Sequence, residues 1–236
     1  MSKVLVDGDI IAYKSCYGTL DKPFEDTLDK MDSTMEYIGE SCLFEPNNDH
    51  MEVFLTGKGN FRYDLYPEYK ANRKGSTKPE NLSLSYGYLI EEWGAKVSSE
   101  QEADDDISIR ATELGPSCIV ASIDKDFLQL PCNHFNFVKG THTKVSEFEG
   151  LYSFYKQILT GDSVDNIKGL WQVGDKKATK ILEGCKTEED LWDCVLRAYD
   201  GDLDSVLLNG RLLWLRREEK ELWGGYNKKE GSSEAD

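Results

Sequence analysis

The chain has 236 residues and a net charge of −16, with 39% hydrophobic, 31% charged and 11% aromatic residues. That much apolar and aromatic side chain can build a packed core, which excludes a disordered acidic chain. No apolar run approaches the roughly 18 residues of a membrane span, and Met1-Ser2-Lys3 leads into Val4-Leu5-Val6 without a signal-peptide pattern, so a cytoplasmic protein is expected.

In chain order, Val4 to Val6 reads as a buried strand ending at Asp7-Gly8-Asp9, followed by a helix around Ile10 to Tyr17. Residues 21–52 carry ten acids against Lys22 and Lys30 and read as a solvated helical face. Val53 to Leu55 and Ile119 to Ile123 are further strand-length runs, with helical pattern over Leu82 to Trp93 and Glu100 to Leu114 between them. Strands alternating with helices predict an α/β fold, a mostly parallel central sheet flanked by helices. Phe135 to Val138 and Val145 to Phe148 suit an edge hairpin. From Leu151 the pattern turns helical, over Tyr152 to Thr160, Lys176 to Glu183, Glu188 to Tyr199 and Ser205 to Trp214. The expected organisation is an α/β core over 1–150, a helical region over 151–223 and a flexible polar tail over 224–236.

The six cysteines form no C-x-x-C pair and no Cys/His ladder, so free thiols are expected. Asp200-Gly201-Asp202-Leu203-Asp204 resembles the start of a calcium loop, but Ser205 and Arg211 stand where that loop needs glycine and glutamate. Trp171, Trp192, Trp214 and Trp223 read as core or helix-packing residues, with contact to a polyanion an alternative for Trp171.

The acidic excess is uneven. Over 58–78 the sign reverses: Lys58, Arg62, Lys70, Arg73, Lys74 and Lys78 outnumber Asp64 and Glu68 and interleave with Phe61, Tyr63, Tyr66 and Tyr69. Bases mixed with aromatics suit a phosphate-bearing strand. Lys168, Lys176, Lys177 and Lys180 form a second basic cluster around a Gly-rich turn.

Open parallel sheets carry functional groups beyond the carboxyl ends of their strands, which is where Asp7 and the Asp124/Asp126 pair fall. Glu102-Ala103-Asp104-Asp105-Asp106 opens a helix; Ser99 with Glu102 could be a capping box, but adjacent aspartates repel unless a cation neutralises them. Asp162 and Asp165 add a fourth acidic segment, whose other reading is a cap and a turn. Oxygen ligands without His or Cys select Mg²⁺ or Mn²⁺, and Asp7, Glu102, Asp104, Asp105, Asp124, Asp126, Asp162 and Asp165 could hold two ions roughly 4 Å apart for phosphodiester hydrolysis.

Five segments occur in an ordered series: Leu5-Val6-Asp7-Gly8, Pro67-Glu68-Tyr69-Lys70-Ala71-Asn72-Arg73-Lys74, Glu102-Ala103-Asp104-Asp105, Asp124-Lys125-Asp126 and Leu159-Thr160-Gly161-Asp162-Ser163-Val164-Asp165-Asn166. In this the chain resembles the flap-endonuclease-like 5′-nucleases, and within them the 5′-to-3′ exonucleases of bacteriophages. The resemblance implies a PIN-like α/β core, divalent-metal-dependent hydrolysis of DNA from 5′ ends, two Mg²⁺ or Mn²⁺ held by the eight acids, and Lys70 and Arg73 reaching the scissile phosphate. It also implies flap-endonuclease or RNase H variants of that chemistry, a role in phage replication or recombination, and a host cytoplasmic location. Gly169 to Ala178 is similar to the family's helix-hairpin-helix. Gly174, Lys176 and Lys177 would there meet duplex DNA, with a possible monovalent cation at the turn, and Lys58, Arg62 and Lys74 are further expected DNA contacts.

The chain departs from the family pattern in three places. Gln172 stands where glycine is common. Val53 to Phe61 contains no acid where many relatives carry an aspartate, Thr56 and Gly57 occupying that region. Only residues 74–101 separate Arg73 from Glu102, short for an arch that threads a 5′ flap, which favours a simpler exonuclease. The competing readings are a PIN-type endoribonuclease, which has no use for the helix-hairpin-helix segment, a catalytically inactive nucleic-acid-binding replication accessory protein, which predicts broken acidic clusters, and an acidic α/β domain with ordinary caps.

Overall fold

The computed structural model describes residues 3–42 and 50–226. Glu45, Asp49 and the expected tail from 227 onward lie outside the described residues.

Strand β1 (Lys3–Asp7) runs between β2 (Met51–Lys58) and β4 (Cys118–Ala121), parallel to both. Beyond β2 lies β3 (Lys96–Ser99), and beyond β4 lie β5 (Asn133–Asn136) and the antiparallel β6 (Thr141–Lys144), giving the order β3-β2-β1-β4-β5-β6. The order reverses at β1 and β4, so a crevice opens at their carboxyl ends.

Side chains of β1 alternate between two cores. Val4 and Val6 pack with α1 (Gly8–Tyr17), α2 (Phe24–Cys42) and α4 (Leu82–Trp93), whereas Leu5 packs with Phe54, Val120 and the α5 (Ala103–Leu114) residues Ala103, Ile107 and Ala111. A strand buried on both faces needs a continuous apolar run, which is what made β1 legible. Between β2 and α4 lies one short helix, α3 (Arg62–Leu65), and a 3₁₀ turn over Ala71–Arg73.

After β6 the chain is helical: α6 (Glu147–Thr160), a small ribbon of β7 (Gly161–Asp162) and β8 (Ile167–Lys168), then α7 (Asp175–Ile181), α8 (Glu188–Ala198) and α9 (Leu203–Leu213). These elements enclose a separate core of Phe154, Tyr155, Ile158, Leu191, Val195, Val206 and Trp223, which Tyr69 joins from the earlier chain. Past α9 the chain returns to the sheet. Leu215 enters the core beneath α5, and Arg217 donates to Ser108 Oγ (2.7 Å) and to the Gln129 carbonyl (2.8 Å).

Several expectations are corrected. Strand β3 is a short, mostly exposed edge strand with no apolar run to signal it, and it takes Ser99 into the sheet. The cap of α5 is therefore Glu102, in a capping box with Asp105. The hairpin lies earlier than expected; Val145 follows β6 into the core and Phe148 belongs to α6. Glu52 sits in β2 rather than on a solvated helix, within ion-pair reach of Lys3, Lys96 and Arg110; against the upward push of burial, hydrogen bonds from Arg110 and Lys96 hold its carboxyl down to about 2. Asp32, on α2, accepts from Tyr88 Oη (2.6 Å) and Trp93 Nε1 (2.8 Å), fastening α2 to α4. Trp223 is buried as expected, whereas Trp171 is 87% exposed. All six cysteines are free thiols.

Candidate active site

Asp7 ends β1 and caps α1, accepting from Ile10 N (3.2 Å) and from Ser122 Oγ (2.7 Å) beyond the end of β4. It is buried, and burial first, with Asp9 and then Asp124 adding repulsion, pushes its carboxyl up to about 7. Asp104, in the first turn of α5, is raised well above the usual carboxylate range by burial and by Asp7, Glu102 and Asp124. Asp124 caps the 3₁₀ turn over Lys125–Gln129 and accepts from Asp126 N (2.9 Å). Asp126 accepts from Gln157 Nε2 (2.9 Å) on α6; burial, then Asp124 and Asp162, push it to about 7. Asp162, buried in β7, accepts from Val164 N (2.7 Å) and Asp165 N (3.4 Å).

Five of the expected carboxylates thus form a mutually repelling series along one edge of the crevice. Among the described residues none of Asp7, Asp104, Asp124, Asp126 and Asp162 has a lysine or arginine ion pair. As positioned, no three of the described Asp, Glu, His or Cys side chains converge on one ion site.

Glu102 and Asp165 are held differently. Lys70 Nζ hydrogen-bonds Glu102 Oε1 and lies 3.7 Å from Asp165 Oδ2, and Arg73 pairs with Asp165 Oδ1. The buried Tyr69 hydroxyl lies 2.8 Å from Glu102 Oε2 and 3.0 Å from Asp165 Oδ2, so it can donate to either. Although burial opposes it, Glu102 and then Asp165 hold the Lys70 ammonium above its ordinary value. The segment is clamped to the loop after β7: Lys70 N donates to the Asp165 carbonyl (2.9 Å), Asn72 Nδ2 to the Ser163 carbonyl (2.8 Å), and Asn166 Nδ2 to the Glu68 carbonyl (2.7 Å). Lys70 has φ 53°, a left-handed conformation that costs a non-glycine residue on the order of 1 kcal/mol and that the clamp holds in place.

The three consecutive aspartates of α5 part ways, because neighbours on a helix point about 100° apart. Asp104 faces the carboxylate series. Asp106 accepts from Ser98 Oγ (2.5 Å) and from Gln101 Nε2. Asp105 is fully buried and takes a bidentate pair from Arg62, Nη1 at 2.6 Å and Nη2 at 2.9 Å, plus Glu102 N and Arg216 N at 3.2 Å. Both expectations for this pair are corrected: Asp105 has no oxygen left for a metal, and Arg62, 2% exposed, is not a DNA contact. Arg62 instead ties α3 and α5 to the end of α9, donating also to the Leu212 and Trp214 carbonyls (2.9 Å each).

Lys58 and Lys74 are exposed. So are Gly174, which precedes α7, and Lys176 and Lys177 in its first turn. Gln172 has φ 58°, a conformation glycine adopts freely, so the turn keeps its shape without the glycine.

Sequence reasoning missed five contributors. Asp9, two residues after Asp7, accepts from Thr56 N (3.1 Å) and Tyr86 Oη (2.6 Å) and brings a carboxylate to the carboxyl end of β2, where residues 53–61 supply none. Thr56 Oγ1 accepts from Ala103 N (2.9 Å), seating α5 on β2. Ser122, Tyr69 and Gln157 hold acids by single hydrogen bonds, which no spacing rule reveals.

Residues 2–156 match the family described as 5′-3′ exonuclease, N-terminal resolvase-like domain. The chain is similar to a 5′-3′ exonuclease of Buchnera aphidicola subsp. Schizaphis graminum, 35% identical over 148 residues that make up 56% of this chain and 51% of that protein. It is also similar to the flap endonuclease Xni of Shewanella piezotolerans, 33% identical over 153 residues, 57% of this chain and 58% of that protein. The matched part therefore spans about half the length of these relatives. Among solved structures it resembles the bacteriophage T5 flap endonuclease pseudo-enzyme-product complex with DNA and metal ions, at a TM-score of 0.70 and 18% identity, covering 90% of this chain and 89% of that one.

Proposed function

The chain belongs to the 5′-3′ exonuclease family, and we propose that it is a divalent-metal-dependent nuclease that hydrolyses phosphodiester bonds from the 5′ ends of duplex DNA, with nicks or flaps as related substrates. The observation that carries this reading is the series Asp7, Asp104, Asp124, Asp126 and Asp162, with Asp7 and Asp126 raised to about 7 by burial first and by neighbouring carboxylates second. An all-oxygen donor set whose members repel one another fits hard divalent ions, Mg²⁺ or Mn²⁺. When bound, such ions lower the pKa of water and stabilise charge on a phosphate.

The chain's own groups do the rest. Ser122, Gln157 and the Val164 amide orient Asp7, Asp126 and Asp162 toward the crevice. Lys70 and Arg73, pinned by the loop after β7, bring two positive charges to the same crevice, where they bind the scissile phosphate and stabilise its developing charge. Tyr69 positions Glu102 and Asp165 by its hydroxyl. Exposed Lys58, Lys74, Lys176 and Lys177 supply the electrostatic attraction for a duplex that a chain of net charge −16 otherwise lacks.

The test offers 5′-labelled and 3′-labelled duplexes and a 5′ flap to the purified protein with Mg²⁺ and with EDTA. Metal-dependent release from 5′ ends, abolished in Asp126→Asn with folding intact, is expected. Metal-independent cleavage, or a fully active Asp126→Asn, refutes the assignment; cleavage of RNA alone turns it toward an endoribonuclease.

A further inference from the structure

Trp171 is the most exposed large hydrophobic side chain of the described residues, at 87%. Its position is fixed rather than loose. Leu170 N donates to the Leu159 carbonyl (2.9 Å) at the end of α6, and Val173 N to the Leu170 carbonyl (3.1 Å), closing a turn in which Trp171 and Gln172 are the two central residues. Leu170 and Val173 pack against the helical core on either side. Beneath the turn, a Cβ on Gly169 would lie 2.3 Å from the Thr160 backbone carbon, so the chain is seated directly on the end of α6. A rigid turn therefore presents an indole that nothing in the described chain covers.

The surroundings select the partner. Residues 166–182 carry Lys168, Lys176, Lys177 and Lys180 against Asp175 alone, in a chain whose overall charge is −16. All four lysines are exposed, and Asp175 is neutralised by Lys156 at 2.5 Å. An aromatic plate among uncompensated cations complements a polyanion that has flat apolar faces of its own, which is the chemistry of a nucleic acid.

We propose that Trp171 is a nucleic-acid contact, its indole packing on a base or sugar of the strand whose phosphates meet Lys168, Lys176 and Lys177. The inference rests on the nuclease reading and adds to it a contact that contributes affinity without charge.

The experiment measures anisotropy of a labelled recessed duplex with the full chain in Ca²⁺, across a salt series, for wild type, Trp171→Ala, Trp171→Phe and Lys176→Ala. Loss of one stacking contact should weaken Trp171→Ala about ten-fold. Its slope of log affinity against log salt should stay that of wild type, whereas Lys176→Ala should lower the slope by about one. Trp171→Phe should retain most of the affinity, and the melting temperature should not change in either variant. Wild-type affinity in Trp171→Ala overturns the inference and leaves the nuclease reading standing. A lowered melting temperature, or a wild-type dimer that Trp171→Ala splits with DNA affinity unchanged, overturns it in favour of packing or self-association. A wild type that does not bind the duplex at any salt concentration overturns both.

Discussion

Replacing Arg62 should unfold the protein more readily rather than weaken a DNA contact. The residue is 2% exposed and its guanidinium makes four hydrogen bonds, two to Asp105 and one each to the Leu212 and Trp214 carbonyls. Arg62→Met keeps much of the side-chain length, and Met is a good filler of irregular space, but it leaves a fully buried carboxylate without its counter-charge. Breaking such a pair costs about 3–5 kcal/mol, a large share of the 5–15 kcal/mol typical of a folded domain. Asp105→Asn should be destabilising too, since it leaves the guanidinium buried. Arg62→Met/Asp105→Asn together should be less destabilising than the sum of the two, with a coupling of about 1–3 kcal/mol. Urea midpoints for the four proteins close the cycle. If Arg62→Met unfolds within about 0.5 kcal/mol of wild type, as an exposed site would, and loses DNA affinity instead, the buried-pair account is wrong.

Raised carboxyl groups set a pH dependence. Asp7 and Asp126 are held near 7, above the 3.8 of an unfolded chain, so the folded state binds more protons between those values and stability falls as pH rises through about 7. The metal-free melting temperature should drop from pH 5 to pH 8, and millimolar Mg²⁺ should raise it at pH 8 more than at pH 5, where protons compete; calorimetry in EDTA and in Mg²⁺ that shows no pH trend would remove the reading. Asp126→Asn should raise the metal-free melting temperature at pH 8 while shrinking the Mg²⁺ increment. Lys70→Ala should lower the single-turnover rate by about 10²-fold or more with little loss of DNA affinity, and a loss of affinity alone would make Lys70 an ordinary phosphate contact. Gln172→Gly relieves a left-handed residue and should stabilise the protein by up to about 1 kcal/mol in urea, offset in part by the greater freedom of the unfolded chain.

Much of the sheet was legible because β1, β2 and β4 are buried on both faces and read as apolar runs; β3, exposed at an edge, carries no such signal. Acids at strand ends were legible for a topological reason, since Asp7 and Asp124 must lie near the crevice wherever the order of a parallel sheet reverses. Their supports were not. Gln157 reaches Asp126 across 31 positions and Ser122 reaches Asp7 across 115, contacts that exist only once the sheet and α6 are assembled. The same holds for Arg62, which looked like one base among six until tertiary packing buried it.

The run Asp104-Asp105-Asp106 contained more information than its charge. A helix turns about 100° per residue, so three adjacent carboxylates cannot serve one cluster. Each needs its own compensation: Asp104 faces acids and calls for an external cation, Asp105 has Arg62, and Asp106 has Ser98 and Gln101. Counting cations available from within the chain therefore separates structural acids from candidate ligands. Asp105 drops out by that criterion, and so does most of the apparent surplus of bases over 58–78, because Arg62, Lys70 and Arg73 are already committed to Asp105, Glu102 and Asp165. On the proposed metal-dependent reading the commitment of Lys70 and Arg73 is reversible: a divalent ion that held Glu102 and Asp165 in their place would free two cations for a phosphate. Metal binding and phosphate capture should then be coupled: Lys70→Met, with one counter-ion fewer, should bind Mn²⁺ more tightly than wild type in a titration followed by electron paramagnetic resonance, and weaker binding would show that Lys70 does not compete with the metal.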